Sequence, residues 1–194
     1  MRIEQMQFPY SKDITAVNQE QFDANIKLYE GYVKKINEID EILQGDSQAD
    51  QANSIYSFFR GVKRGESFAI DGVILHELYF ENLGNRFAGP DNIVKQKLAQ
   101  DFKSFENWQA DFVATGLASR GWAVLAYDQR SRCFRNVSMD AHDEGNVVLC
   151  FPILVMDVYE HAYFYQYKTD KAAYINAFMN NINWLVVNRR MLRL

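Results

Sequence analysis

The chain has 194 residues, 48% hydrophobic and 24% charged, a balance that supports a folded core and excludes a disordered chain. Twenty-five acids against 21 bases leave a formal charge of −4 with no broad basic footprint, so non-specific nucleic-acid binding is not expected. The longest clean apolar run, 147–156, is broken by Pro152 and is about half of what a membrane span needs.

Aromatic residues reach 14%, so a bulky core is expected. The first residues carry no apolar segment of the secretory kind. Cys133 and Cys150 make no disulfide framework, and a reducing cytoplasm is the expected compartment.

Residues 1–18 read as an extended arm. From Gln19 to Gln44, Phe22, Ile26, Tyr29, Val33, Ile36 and Leu43 recur at helical spacing, and Gly45 closes the run. A helix of that length suggests one arm of a helical hairpin. A polar loop (45–53) follows, then a short helix at Ser54–Val62, a reset at Gly65, and a second long helix over Glu66–Leu83. Gly84 and the Gly89-Pro90 pair mark a boundary between an N-terminal helical hairpin domain (1–89) and a C-terminal α+β domain (90–194). Asp91 is placed to cap a helix to about Asp101, and Ser104 another over Phe105–Ala118.

The period then changes. Trp122–Tyr127, Arg132–Met139 and Val147–Met156 read as three strands joined by short turns, an antiparallel meander. Helices are expected near Ala172–Asn180 and Asn183–Arg190. The fold class is α+β: a long N-terminal α-hairpin followed by an α/β domain with a three-stranded antiparallel sheet.

Three histidines occur: His76, His142 and His161. Asp157 and His161 come directly off the most apolar strand, at a spacing that points a carboxylate and an imidazole to one place. Burying such groups at a strand end is costly unless something pairs with the charge, and a cation would. The alternative is that Asp157 caps the next helix and His161 packs beneath it. His76 falls on the apolar face of the second long helix, beside Gly72, Val73, Tyr79 and Phe80, as a core residue or a ligand. His142 lies in a turn and by itself reads as a surface residue. No P-loop, Rossmann glycine pattern, nucleophile elbow or C-x-x-C pair is present.

Several segments together resemble one family. Asp157–Phe164 (DVYEHAYF) is similar to the D-V-W-E-H-A-Y-Y of the iron/manganese superoxide dismutases. Phe112–Leu125, Leu75–Phe80 (LHELYF), Phe8-Pro9-Tyr10, Tyr32-Val33 with Asn37, Tyr167-Lys168 and Asn183-Trp184 resemble other family segments in the same order. The resemblance implies a mononuclear Mn or Fe site, one per chain. The resemblance implies that such a site disproportionates superoxide to oxygen and hydrogen peroxide, in a homodimer; composition and hydropathy lead to no expected nucleic-acid or membrane partner.

Carried over by residue, His76, Asp157 and His161 match metal ligands. The remaining family ligand, a His eight residues before Tyr32, is replaced by Ala24, with Asp23 and Asn25 on either side. A fourth ligand is then expected from Asp23, His142 or water.

The resemblance also makes Tyr32 a gateway tyrosine and Trp122 an aromatic wall. His142 falls where the family carries a Gln or His bonded to the metal's water. Glu160 matches a residue that reaches a partner subunit's ligand, and Lys27 and Lys171 match the flanks of the substrate funnel. Gly72 occupies a position from which iron-type members offer a Gln.

Leu28 replaces a gateway His and Phe164 the Tyr it contacts across the dimer, so both members of a polar pair have become apolar. Tyr159, Phe80 and Val124 stand where the family has Trp. These departures imply an altered ligand shell and reduced activity. The alternative is a non-catalytic dismutase-fold protein acting as a structural or partner-binding module.

Overall fold

The first apolar stripe forms helix α1, Gln19–Gln44, whose N-terminus is closed by the Asn18 side chain accepting from the Gln21 amide. Its buried face carries Phe22, Asn25, Tyr29, Val33, Ile36 and Ile39. These coordinates are a computed structural model that describes residues 2–84 and 89–194.

Helix α2 corrects the expectation of a break at Gly65. It runs without interruption over Phe58–Asn82, through both Gly61 and Gly65, from a cap at Ser57. Residues 54–56 lie before it, with Ile55 and Tyr56 exposed. The physical reason is helix–helix contact: a Cβ on Gly65 would stand 3.3 Å from Ile39 Cδ1 of α1. The glycine permits close approach of the two helices, which offsets its poor helix propensity. Tyr29 bonds Glu77, Tyr32 packs on Gly72 and Ile39 on Gly65, so the two helices run antiparallel.

Helices α3 (Asn92–Phe102) and α4 (Phe105–Ala118) follow; Ser104 caps α4 by a side-chain bond, whereas Asp91 makes none at α3. The three strands are β1 (Trp122–Asp128), β2 (Cys133–Met139) and β3 (Cys150–Asp157). All pairings are antiparallel, but the order is β2-β1-β3, not the meander expected from short turns. Burial explains this. β1 is buried almost throughout and takes the centre, while β2 has exposed positions suited to an edge.

Segment 140–149 carries the chain from the β2 edge to the opposite edge. Pairing of β3 begins at Cys150 rather than Val147: Leu149 has φ of 65° and Val148 is exposed. Pro152 faces Ala126 where the register shifts, the kind of position a residue without an N–H can occupy.

Helices α5 (Glu160–Tyr167), α6 (Lys171–Met179) and α7 (Trp184–Met191) complete the chain. One continuous core joins hairpin and sheet. Polar side chains reinforce the seam. Asn82 Oδ1 accepts from the Val155 amide on β3 (2.9 Å), and Arg190 donates to Ile153 O (2.9 Å) and bonds Glu81 (2.6 Å). Among the described residues, no helix is long and apolar enough to cross a membrane.

Candidate metal centre

Strand β3 ends at Asp157, directly opposite Trp122 of β1 and completely buried. Two groups fix this residue. Its Oδ1 accepts from the Tyr159 amide (3.1 Å), and its backbone carbonyl accepts from the Tyr174 hydroxyl (2.7 Å). Asp157 does not cap α5, whose N-cap is Tyr159 with no side-chain bond; its Oδ1 serves the turn before the helix, and Oδ2 faces the interior.

Three side chains converge on that oxygen. His76 Nε2, from the middle of α2, lies 3.8 Å away; His161 Nε2, from the first turn of α5, lies at 3.4 Å; and Asn25 Nδ2, from α1, donates at 3.2 Å. The ligand atoms of His76, Asp157 and His161 all lie within 4.8 Å of one another.

Protonation follows from the partners. His76 Nδ1 is 2.6 Å from the Gly72 carbonyl, which can only accept, so Nδ1 carries the hydrogen. Burial pulls the His76 pKa down against the opposing pull of Asp157, so the ring is neutral and Nε2 presents a lone pair inward. At His161 burial also lowers the pKa, but the Asp157 carboxylate outweighs it and the net direction is up. At Asp157, burial pushes the pKa up while His161, His76 and Asn25 reverse this and hold it down.

Among the described residues, His76 Nε2, His161 Nε2 and Asn25 Oδ1 are buried with no hydrogen-bond partner. Each such atom costs about 1–3 kcal/mol. The His76 lone pair, the unpaired Asn25 oxygen and a second imidazole gathered at a buried anionic oxygen are an arrangement a cation relieves, and two imidazoles with a carboxylate suit iron or manganese. The residues present fit such an ion.

The surrounding wall is aromatic. Trp122 meets His76 edge-on at 4.9 Å, Tyr32 lies 5.3 Å from His76 and 4.7 Å from His142, and Tyr159 stacks on His161 at 4.9 Å. Burial, then the Asp157 charge, raises the Tyr32 pKa, so its hydroxyl keeps its proton at neutral pH.

His142 corrects its reading as a surface residue: it is buried. Its turn folds inward, and Trp122 Nε1 donates to His142 Nδ1 at 2.9 Å. An indole N–H only donates, so the neutral His142 ring carries its proton on Nε2. Burial, helped by His76, pulls its pKa down to about 4.

Not every candidate joins the cluster. Asp23 is exposed and supplies no donor to it, and Ala24 beside it has none to offer. Lys27 is exposed. Lys171 is half-buried, its ammonium donating to the Ser119 carbonyl at 2.5 Å. Leu28, Glu160 and Phe164 face outward, and the His161 side chain is 31% exposed on that same helix α5.

Two residues that meet the cluster were not among the sequence candidates. One is Asn25. The other is Gln21, whose Nε2 donates to His161 O (2.5 Å) and whose Oε1 accepts from the Tyr165 amide (3.0 Å), fastening α5 to α1. A polar residue on the apolar stripe of α1 is their only trace in the chain.

The sequence model for "Iron/manganese superoxide dismutases, C-terminal domain" matches residues 90–190. The chain is 39% identical over 183 residues to superoxide dismutase [Fe] of Aquifex aeolicus, covering 92% of this chain and 86% of that protein. Superoxide dismutase [Fe] of Aquifex pyrophilus gives the same identity and coverage, again over 183 residues (39%, 92% and 86%). Superoxide dismutase [Mn] 1 of Halobacterium salinarum is 35% identical over 157 residues, 80% of this chain and 76% of that protein.

Proposed function

We infer, from a chain that belongs to the iron/manganese superoxide dismutase family, that superoxide is disproportionated at one Mn or Fe ion held by His76, Asp157 and His161. The observation that carries this reading is the gathering of His76, Asp157 and His161 ligand atoms within 4.8 Å of one another, with His76 Nε2 buried and unpaired among the described residues. The ion would supply the electron store: one superoxide loses an electron and leaves as oxygen, and a second gains it and leaves, with two protons, as hydrogen peroxide.

The chain's own residues supply protons and shape. Tyr32 O–H and His142 Nε2–H are two proton-bearing groups of the wall whose rings pack against His76. Trp122 fixes the His142 tautomer. The exposed ammonium of Lys27, one helical turn and a little more before Tyr32, supplies local positive charge to draw an anion that the net charge of −4 repels.

Turnover is reduced relative to a member with a first-helix imidazole and a gateway His. Ala24 brings no ligand, and Leu28 cannot return a proton to Tyr32.

The protein works as a homodimer through the face bearing Glu160, Leu28 and Phe164. Leu28 and Phe164 are 38% and 45% exposed, and Tyr165 beside them 56%. A two-fold contact here would bring Glu160 of one protomer to His161 of its partner.

The test is superoxide consumption by protein reconstituted with Mn or Fe. Catalysis above that of the free ion, lost in His76→Ala, is the expected result. Equal rates in wild type and His76→Ala would remove the assignment.

A further inference from the structure

We propose that Asn25 is the fourth protein ligand, binding the ion through its side-chain carbonyl oxygen; this rests on the metal-site reading above. Helix α1 sends one polar side chain to Asp157 Oδ2, and it is Asn25, itself 2% exposed. The neighbouring positions of α1 offer nothing else: Ala24 has no donor atom, and Asp23 faces solvent.

The amide already stands at ligand spacing. Two donor atoms each roughly 2.1 Å from a common ion at near-right angles lie about 3 Å apart. The Asn25 amide is 3.2 Å from Oδ2, closer than either imidazole nitrogen.

Nδ2 and Oδ1 are near-identical in shape, and half a turn about the terminal side-chain bond exchanges them. With Oδ2 bare, the N–H turns toward it and Oδ1 is left without a partner, as found. With a cation on Oδ2, an N–H facing that ion is repelled and the carbonyl oxygen replaces it. The shell becomes two imidazole nitrogens, one carboxylate oxygen and one neutral amide oxygen. Asn25 is thus the α1 contribution to the site, displaced by one residue from Ala24.

Cobalt(II) is a suitable probe, because its visible bands shift and change intensity with the number and kind of coordinated atoms. The full chain would be loaded with Co(II) as wild type, Asn25→Leu, Asn25→Asp and His76→Ala, and chelator competition would give each affinity. Wild type is expected to give protein-specific bands that His76→Ala alters. Asn25→Leu should change band intensity and weaken binding about 100-fold or more, beyond the ~10–100-fold typical of residues that only orient a ligand. Asn25→Asp, which keeps an oxygen and serves if the Leu variant does not fold, should keep the affinity within tenfold of wild type or better and move the bands.

Wild-type bands that persist unchanged in Asn25→Leu, or in Asn25→Asp if that variant alone folds, overturn the inference while leaving the site intact. Wild type and His76→Ala both lacking protein-specific bands overturn the metal-site reading, and this inference with it.

Discussion

Replacing Trp122 with Phe separates the hydrogen bond that sets the His142 tautomer from the aromatic packing around it. Trp122 is fully buried, edge-on to His76 and opposite Asp157 in the sheet. Its Nε1–H is the donor to His142 Nδ1 at 2.9 Å. Phe keeps one ring but leaves a buried imidazole nitrogen unpaired, which costs about 1–3 kcal/mol. The lost ring removes roughly 40 Å² of buried apolar surface, worth about 1 kcal/mol more. The expected destabilisation is about 2–4 kcal/mol, read as a shift in urea midpoint with unchanged m-value.

Freed from Trp122, the His142 ring can carry its proton on either nitrogen, so activity should fall by a larger factor than metal content. A loss of stability under about 0.5 kcal/mol, with activity unchanged, would refute the assigned tautomer and its role.

Four further outcomes are expected. Gln21→Leu removes both bonds between α1 and the first turns of α5, and should destabilise by about 1–3 kcal/mol while weakening metal binding, checked by denaturation and chelator competition. Ala24→His should raise specific activity of the metal-loaded protein in a stopped-flow superoxide assay; an unchanged rate contradicts the account of reduced turnover. Leu28→Glu should give monomers in light scattering at micromolar concentration where wild type gives dimers, because it sets a new charge among the exposed apolar residues of the proposed contact face. At Asp128, bonds from the Ser131 amide, the Arg135 guanidinium and the Arg130 amide hold the carboxyl at about 2. Its unfolded value is near 3.9, so its stabilisation is full above that pH and disappears as pH falls toward 2. The gap in thermal midpoint between wild type and Asp128→Asn should therefore close over that window.

What the sequence made legible tracks how local the determinant is. The stripe Phe22 to Leu43 sets α1 by itself, and Ser104 caps α4, so both elements are found where periodicity and capping put them. Gly65 misleads because its place inside α2 depends on Ile39 of another helix, a contact invisible to any local window. Strand order misleads for the same reason: short turns favour a meander, but burial on both faces makes β1 the central strand.

At the site, His76, Asp157 and His161 stood out as imidazoles and a carboxylate on apolar runs, but the family resemblance was what read them together as ligands. His142 was readable only by family likeness, since its burial comes from Trp122 across the fold. Asn25 and Gln21 were not readable, because amides on a helix stripe carry no mark of which distant carboxylate or carbonyl they meet.

Metal content of the purified chain addresses the site most directly. Protein produced with both manganese and iron supplied, then freed of loosely held ions, should retain about one Mn or Fe per chain by elemental analysis. Asp157→Ala should retain almost none, since it removes the oxygen on which His76, His161 and Asn25 converge. Wild type with no transition metal even after reconstitution, or an Asp157→Ala variant that holds as much as wild type, would contradict a metal site at these residues.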